Sequence, residues 1–305
     1  MAEKKYLLIK AWGAGFWSDI EHVMGQMLFS EISGRIPIVY WGEGSNYASD
    51  NPIEEDAFSL FFKPLSQYKV NNIENKSLSF YPKRFKFNNL RSFMRRDKTE
   101  KNITADWLKK TENVIVSRHH CSLNQLRKII PEGNKLFHKS NEEIYSYLYK
   151  KYLKILPTIQ KDIDTFESKN FKNKHILAVH IRGTDKIAEV PNLLELHQQF
   201  PQAINDYFKM QPTAYLFLMT ESQEILNQYK NLYGSKLIYT KCLRISNNDQ
   251  NIYKINYSKN LKGREILIDT ILATKCNYFI GSNSNVTNAV IRLGNWSAKK
   301  YRLIK

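Results

Sequence analysis

The run Ile176-Leu177-Ala178-Val179-His180-Ile181-Arg182-Gly183-Thr184-Asp185-Lys186 passes without interruption from apolar strand-formers to a dense set of polar groups. Its first six residues read as a strand buried on both faces, the kind found inside a parallel sheet. Past that strand's carboxyl end stand an imidazole, a guanidinium, a hydroxyl, a carboxylate and an ammonium. Outward from this point the pattern alternates regularly. Strands are predicted over 176–181, 215–219, 237–239 and 278–280, with helices after Pro201, over 223–229 and over 263–275. Such alternation specifies a doubly wound α/β sheet, whose ligands bind beyond the carboxyl ends of the strands. The positions to inspect therefore follow Ile181, Met219 and Ile280, and all three are polar.

The first half of the chain opens with a second unit of the same kind. A strand over 6–12, a glycine turn over 13–16 and a helix over 17–33 lead to Gly34 and a strand over 36–41. Ile20, Val23, Met24, Met27 and Leu28 share one face of that helix, and Gly34 is placed to stop it. Residues 42–110 carry little periodicity around Phe58, Phe61, Phe62, Phe85, Phe87 and Phe93. A strand over 114–117 and a helix over 141–156, closed by Pro157, complete this half, and a linker is expected near 160–174. The fold class is thus α/β, with two Rossmann-like lobes over residues 1–165 and 166–305.

Composition bounds the partners. The 305 residues are 42% hydrophobic and 13% aromatic, enough for packed cores, and the formal charge is +17. A field of that sign attracts nucleotides, nucleic acids and anionic membranes alike. Phe, Tyr, Arg and Lys interleave between residues 81 and 98, which is compatible with stacking on bases. No nucleic-acid-binding signature accompanies them and the charge is spread widely, so nucleic acid is the second reading and is not expected. Three cysteines without paired spacing, and no leader-like or membrane-spanning stretch, lead to a cytoplasmic expectation, with peripheral association at the anionic inner membrane surface allowed. Asp162-Ile163-Asp164 follows no predicted strand and is read as a chance match to a metal-binding pattern, so no metal is expected.

Arg182 can meet the charge that grows on a departing diphosphate with a fixed, always-charged fork. On spacing alone an Arg182–Asp185 pair on a solvated turn is an equal alternative. The run from Val179 to Lys186, however, resembles the donor-site motif of the α1,6-fucosyltransferases and their bacterial nodulation-factor relatives, where the usual form is His-Val-Arg-Arg-Thr-Asp-Lys. A second stretch, Gly263-Arg264-Glu265-Ile266-Leu267-Ile268-Asp269 followed by the loop Gly281-Ser282-Asn283-Ser284-Asn285, is similar to the same family's layout.

The resemblance implies a GT-B-type glycosyltransferase with its donor site in the C-terminal lobe. Arg182 falls on the arginine that the family uses on the donor's β-phosphate, and His180 on a nucleotide-contacting histidine. Asp185 and Lys186 complete the donor motif, and Gly183 stands where the family has a second arginine. Asp269 matches an aspartate that reads guanine, a base whose edge offers one carboxylate two N–H groups. Ser282, Ser284 and Asn285 are assigned to the pyrophosphate at a helix start near Val286, where Ser and Asn also serve as ordinary caps. Glu221, in Thr220-Glu221-Ser222, matches a short acidic stretch, with Thr220 as a helix N-cap the alternative. Gly13 and Gly15 resemble the glycine turn of the family's first lobe and are assigned to close approach to the donor. Glu189, one position from a family glutamate, is the candidate general base. The implied reaction is metal-independent, inverting transfer of fucose from GDP-fucose to a glycan hydroxyl, with no cofactor and with the acceptor on the side of residues 1–165. A lobe that binds a nucleotide sugar without turning it over is the remaining alternative.

Overall fold

The computed structural model describes residues 4–93, 105–121, 123–183, 193–246, 256–294 and 296–305. The chain divides into two compact units: Met1–Leu156 with Ser258–Asn260, and Pro157–Tyr257 with Leu261–Lys305. Each is a mixed α/β body built on one parallel sheet.

In the first unit, β1 (Tyr6–Lys10), α1 (Phe16–Ser33) and β2 (Ile36–Tyr40) form the expected βαβ element, followed by β3 (Phe80–Tyr81) and β4 (Val114–Ser117). The sheet order is β2-β1-β4-β3, with every pair parallel. Leu7, Leu8 and Ile9 are all fully buried, as a central strand covered on both faces requires. Gly34 ends α1 with φ 69°, a left-handed conformation that costs glycine nothing. The next residue, Arg35, is buried, and its guanidinium donates to the carbonyls of Lys110 at 2.7 Å and Glu112 at 2.9 Å, tying the approach to β4 against the α1–β2 corner.

Of the phenylalanines that read as loop residues, Phe58, Phe61, Phe62 and Phe85 are core, whereas Phe87 and Phe93 are exposed. Phe16 is surrounded edge-on by Trp17, Trp41, Tyr47 and Phe61, with ring centroids 5.1 to 6.0 Å away. Phe58 and Phe62 are equally buried, in and just beyond a single 3-10 turn, Ala57–Leu60. A turn of four residues leaves no period to detect, so burial of the rings sets the local structure.

After α2 (Leu123–Leu126), α3 (Asn141–Tyr152) starts at a capping box between Ser140 and Glu143. It ends five residues before Pro157. That proline does not close α3; it opens α4 (Pro157–Asn170), which occupies most of the stretch expected to be a linker. Proline suits a first helical position because the N–H it lacks would be unpaired there. Asp162 and Asp164 lie on α4, where Asp162 pairs with Arg264 and Asp164 stands 4.0 Å from Lys275.

The second unit contains β5 (Ile176–His180), α5 (Leu193–Met210), β6 (Tyr215–Met219), α6 (Gln223–Tyr233), β7 (Leu237–Ile238), α7 (Lys259–Thr274) from Leu261 onward, β8 (Tyr278–Ser282), α8 (Asn285–Gly294) and β9 (Tyr301–Ile304). Its sheet is parallel throughout, in the order β7-β6-β5-β8-β9. The chain builds one way from β5 to β7 and then resumes on the other side of β5 with β8. The order therefore reverses between β5 and β8, the switch point at which doubly wound sheets bind ligands. Pro201 lies inside α5, a placement that costs about 3 kcal/mol, and buried Phe200, Ala203, Ile204 and Tyr207 hold the helix on the sheet. Short β9 gave no strand signal of its own; it pairs along β8 as an edge. Among the described residues no helix is long and apolar enough to cross a membrane.

Within the first unit, a Cβ at Gly25 of α1 would overlap the carbonyl oxygen of Cys121, a backbone atom that has no rotamer to escape into. Gly25→Ala is predicted to lower unfolding free energy by about 3 kcal/mol in chemical denaturation; an unchanged midpoint would refute this packing.

Candidate functional site

Three adjacent strands of the second unit end together. His180 at the end of β5 is in register with Met219 at the end of β6 and with Gly281 of β8. The cleft above them is lined by His180 and Arg182, by Met219, Thr220 and Glu221, by Cys242 and Leu243 after β7, by Lys262, Glu265, Ile266 and Asp269 of α7, and by Val286 of α8.

Arg182 and Glu221 organise the β5–β6 side. A Glu221 carboxylate oxygen lies 3.3 Å from Arg182 Nε and accepts the backbone N–H of Gly183 at 3.1 Å. The Arg182 carbonyl accepts the Nε2–H of His197 on α5 at 2.7 Å, so the residue is gripped at both its main chain and its side chain. Gly183 sits against the start of α6. A Cβ there would meet Cβ of Ser222 at 2.9 Å and Cδ1 of Ile225 at 3.3 Å, which leaves no room for a second arginine. Ser222, and not Thr220, is the N-cap of α6: its hydroxyl accepts the N–H of Ile225 at 3.3 Å. The Thr220 hydroxyl instead accepts the N–H of Ser222 at 3.2 Å.

On the β8 side, α8 starts at Asn285, one residue before the position expected. Ser284 caps it, its hydroxyl accepting the N–H of Thr287 at 3.1 Å. The same hydroxyl and that of Thr287 each lie 3.4 Å from Nδ1 of His180. The ring of His180 is therefore held on the N-terminus of α8, a location rich in unpaired N–H groups and positive dipole. Burial, with the Arg182 charge second, pushes its pKa down to about 3, so the imidazole is neutral at ordinary pH. Ser282 is buried in the last position of β8, and Asn285 is exposed at the helix start.

The far wall comes from α7. Lys262, Glu265, Ile266 and Asp269 are spaced by three and four residues and so fall on one helical face. Asp269 is buried and accepts the Thr240 hydroxyl at 2.6 Å. Burial raises its pKa to about 7, against the opposing pull of the Thr240 hydrogen bond and of Arg244. Glu265 accepts the N–H of Leu243 at 3.0 Å and the Tyr257 hydroxyl at 2.7 Å, pinning the segment after β7 onto α7. Thr240, Glu265 and Lys262 escaped the sequence reading. The helical spacing from Lys262 to Asp269 was a signal for two of them; Thr240 carried none, because its partner lies 29 residues away.

Similarity to known proteins agrees with this geometry. No protein-family model and no curated protein matches the chain by sequence. Among solved structures, fucosyltransferase NodZ from Bradyrhizobium is similar over 94% of this chain and 92% of that chain, at 21% identity and a TM-score of 0.59. NodZ α-1,6-fucosyltransferase soaked with GDP-fucose gives 95%, 93%, 21% and 0.60 in the same order. A mutant of Arabidopsis thaliana FUT1 in complex with GDP gives 99%, 70%, 10% and 0.64, and POFUT1 in complex with GDP gives 100%, 99%, 11% and 0.58.

The chain has the fucosyltransferase fold. This is the GT-B type of α/β architecture read from the alternating strands and helices. Within it, His180, Arg182, Glu221 and Asp269 line one cleft, and Ser284 touches His180 from the helix beside it. Gly13 and Gly15 belong to the first unit. Gly13 has φ 80°, and a Cβ on it would stand 2.8 Å from the Gly44 carbonyl oxygen, while Gly15 is the N-cap of α1. Asp185, Lys186 and Glu189 lie outside the described residues. Among the described residues no group of three or more His, Cys, Asp or Glu is placed to hold a metal ion.

The neutral, buried His180 has a consequence for stability. Its folded pKa is depressed, so its contribution is complete above about pH 6.5 and is lost as pH falls from there toward about 3. The difference in unfolding free energy between wild type and His180→Gln is predicted to shrink steadily over that interval in denaturant titrations; a difference independent of pH would contradict a neutral histidine.

Proposed function

We propose that this protein transfers fucose from GDP-fucose to a hydroxyl of a glycan or glycoconjugate, by metal-independent displacement with inversion. The observation that carries the reading is the convergence of His180, Arg182 and Asp269, from two separated motifs, on one cleft at the switch point of a sheet whose fold neighbours hold GDP or GDP-fucose.

In this reading the guanine edge donates its two N–H groups to the Asp269 carboxylate. Arg182, its main chain and Nε oriented by His197 and Glu221, faces the β-phosphate and stabilises the charge that develops as the sugar–phosphate bond breaks. Its fixed cation supplies what a divalent ion supplies elsewhere, and metal independence is proposed on that ground. The N-terminus of α8, with Ser282, Ser284 and Asn285, contributes N–H groups to the diphosphate. Asp185 and Lys186 are assigned to the donor, as are Gly13 and Gly15 of the first unit, and Glu189 to deprotonation of the acceptor hydroxyl. The acceptor is assigned to the first half of the chain, and the protein to the cytoplasm, where its positive charge favours approach to anionic surfaces.

Calorimetric titration with GDP, UDP, ADP and CDP in the presence of EDTA should give GDP-selective binding; indifference among the nucleotides would sink the reading. Arg182→Ala should reduce kcat for transfer from GDP-fucose by about 100- to 1,000-fold with an unchanged circular dichroism spectrum. GDP affinity should rise as pH increases through about 7, because only the ionised Asp269 carboxylate accepts both guanine N–H groups. In Asp269→Asn that rise should vanish, together with the preference for GDP over UDP.

A further inference from the structure

The α7 wall of the cleft carries a buried pair that joins two distant segments. The hydroxyl of Thr240, just past β7, donates to Oδ1 of Asp269 on α7 at 2.6 Å, and both residues are buried. We propose that Thr240 is a positioning residue of base recognition: its hydroxyl fixes the rotation of the Asp269 carboxylate and stabilises its negative form, so that the site reads a base edge carrying two N–H donors. The base-reading role of Asp269 rests on the donor assignment above; the grip of Thr240 on Asp269 does not.

Thr240 is itself held firmly. The Arg244 guanidinium folds back and donates to the Thr240 carbonyl at 3.1 Å, and the N–H of Leu243 donates to Glu265 of α7 at 3.0 Å. The turn from 240 to 244 is thus tied to itself and to the helix that carries Asp269. Threonine adds stiffness, since its branched Cβ restricts the side-chain rotamer. The hydroxyl engages Oδ1 alone. Oδ2 has no hydrogen-bond donor among the described residues, and Asp269 lines the cleft. A carboxylate has about four lone-pair sites, so one donor from Thr240 leaves room for two N–H groups from a ligand.

The charges nearby make that donor necessary. Asp269 is faced by Cys242 and Arg244 from the segment after β7 and by Glu265 from its own helix. Lys262 of α7, His180 and Arg182 after β5, and Glu221 after β6 line the same cleft. Burial pushes the Asp269 pKa up to about 7; the Thr240 hydrogen bond and then Arg244 oppose that rise, and Glu265 adds to it. A hydroxyl that donates prefers a charged acceptor, so its loss moves Asp269 toward protonation. A protonated carboxyl is itself a donor on one oxygen and cannot accept both N–H groups of a guanine edge. Removing Thr240 therefore shifts the onset of guanine binding to higher pH.

Carboxyl-carbon NMR of the ligand-free full chain, with labelled aspartate, should show a signal that titrates near about pH 7 and is missing in Asp269→Asn. Thr240→Val and Thr240→Ala, which both remove the hydroxyl, should move that signal to higher pH, and Thr240→Ser should leave it in place. In calorimetry at about pH 7 the first two variants should bind GDP about tenfold more weakly, with a deficit that shrinks as the pH is raised further. Their preference for GDP over inosine diphosphate, which lacks the amino donor, should fall, and GDP should be weakened more than UDP. An aspartate signal unmoved by loss of the hydroxyl, a Thr240→Ser variant that behaves like Thr240→Val, or equal weakening of GDP and UDP at every pH would overturn the proposal. A wild type that binds GDP no better than UDP removes the donor reading instead, and the NMR titration then decides by itself whether Thr240 holds Asp269 in its charged form.

Discussion

A strand buried on both faces cannot carry polar side chains along its length, so the chemistry of a parallel α/β sheet is forced to the strand ends. In this protein the constraint is met by one carboxylate. Glu221, just past β6, reaches across to β5, where it stands beside the Arg182 guanidinium and accepts the main-chain N–H of Gly183. It joins two strand ends that would otherwise leave a charge and a backbone donor at the rim of the core. Arg182 and Gly183 are thereby held beside the start of α6 at the rim of the cleft.

Glycine at position 183, where the motif this stretch resembles has an arginine, fits the packing there. The residue is packed against Ser222, which is committed to capping α6 through the N–H of Ile225. A side chain at 183 would displace the cap or the helix. This turn thus carries one arginine where the motif it resembles usually has two; Ser222 and Ile225 fill the space at 183, and Glu221 accepts its main-chain N–H. Opposite, His180 is kept neutral between hydroxyls of Ser284 and Thr287, so of the two basic residues at the end of β5, His180 and Arg182, only Arg182 carries charge.

The two units treat charge differently. In the second, buried Asp269 accepts the Thr240 hydroxyl, and half-buried Glu265 accepts the Tyr257 hydroxyl and the N–H of Leu243. In the first, Lys10 is held by carbonyl oxygens, beside a second buried cation.

Period and chemistry were enough to read β1, α1, β2, β4, β5 and β6 nearly to the residue, because each is a run of apolar residues closed by a glycine or by polar groups. The motif residues His180, Arg182 and Asp269 were legible for the same reason: a strand end and a helix face are local properties. What the chain alone did not reveal depends on partners far along it. The phenylalanines near residue 60 became core only through the ring of Phe16; Pro157 became a helix start because α4 packs as part of the second unit; β9 exists only as a ladder on β8; and Thr240 acquires its place from Asp269. The sequence by itself determined the fold class and the identity of the polar groups at the strand ends, since both follow from local patterning. Which of those groups meet, and which are held neutral, was decided by the tertiary structure, because burial and hydrogen bonding between distant segments set the charge each one carries.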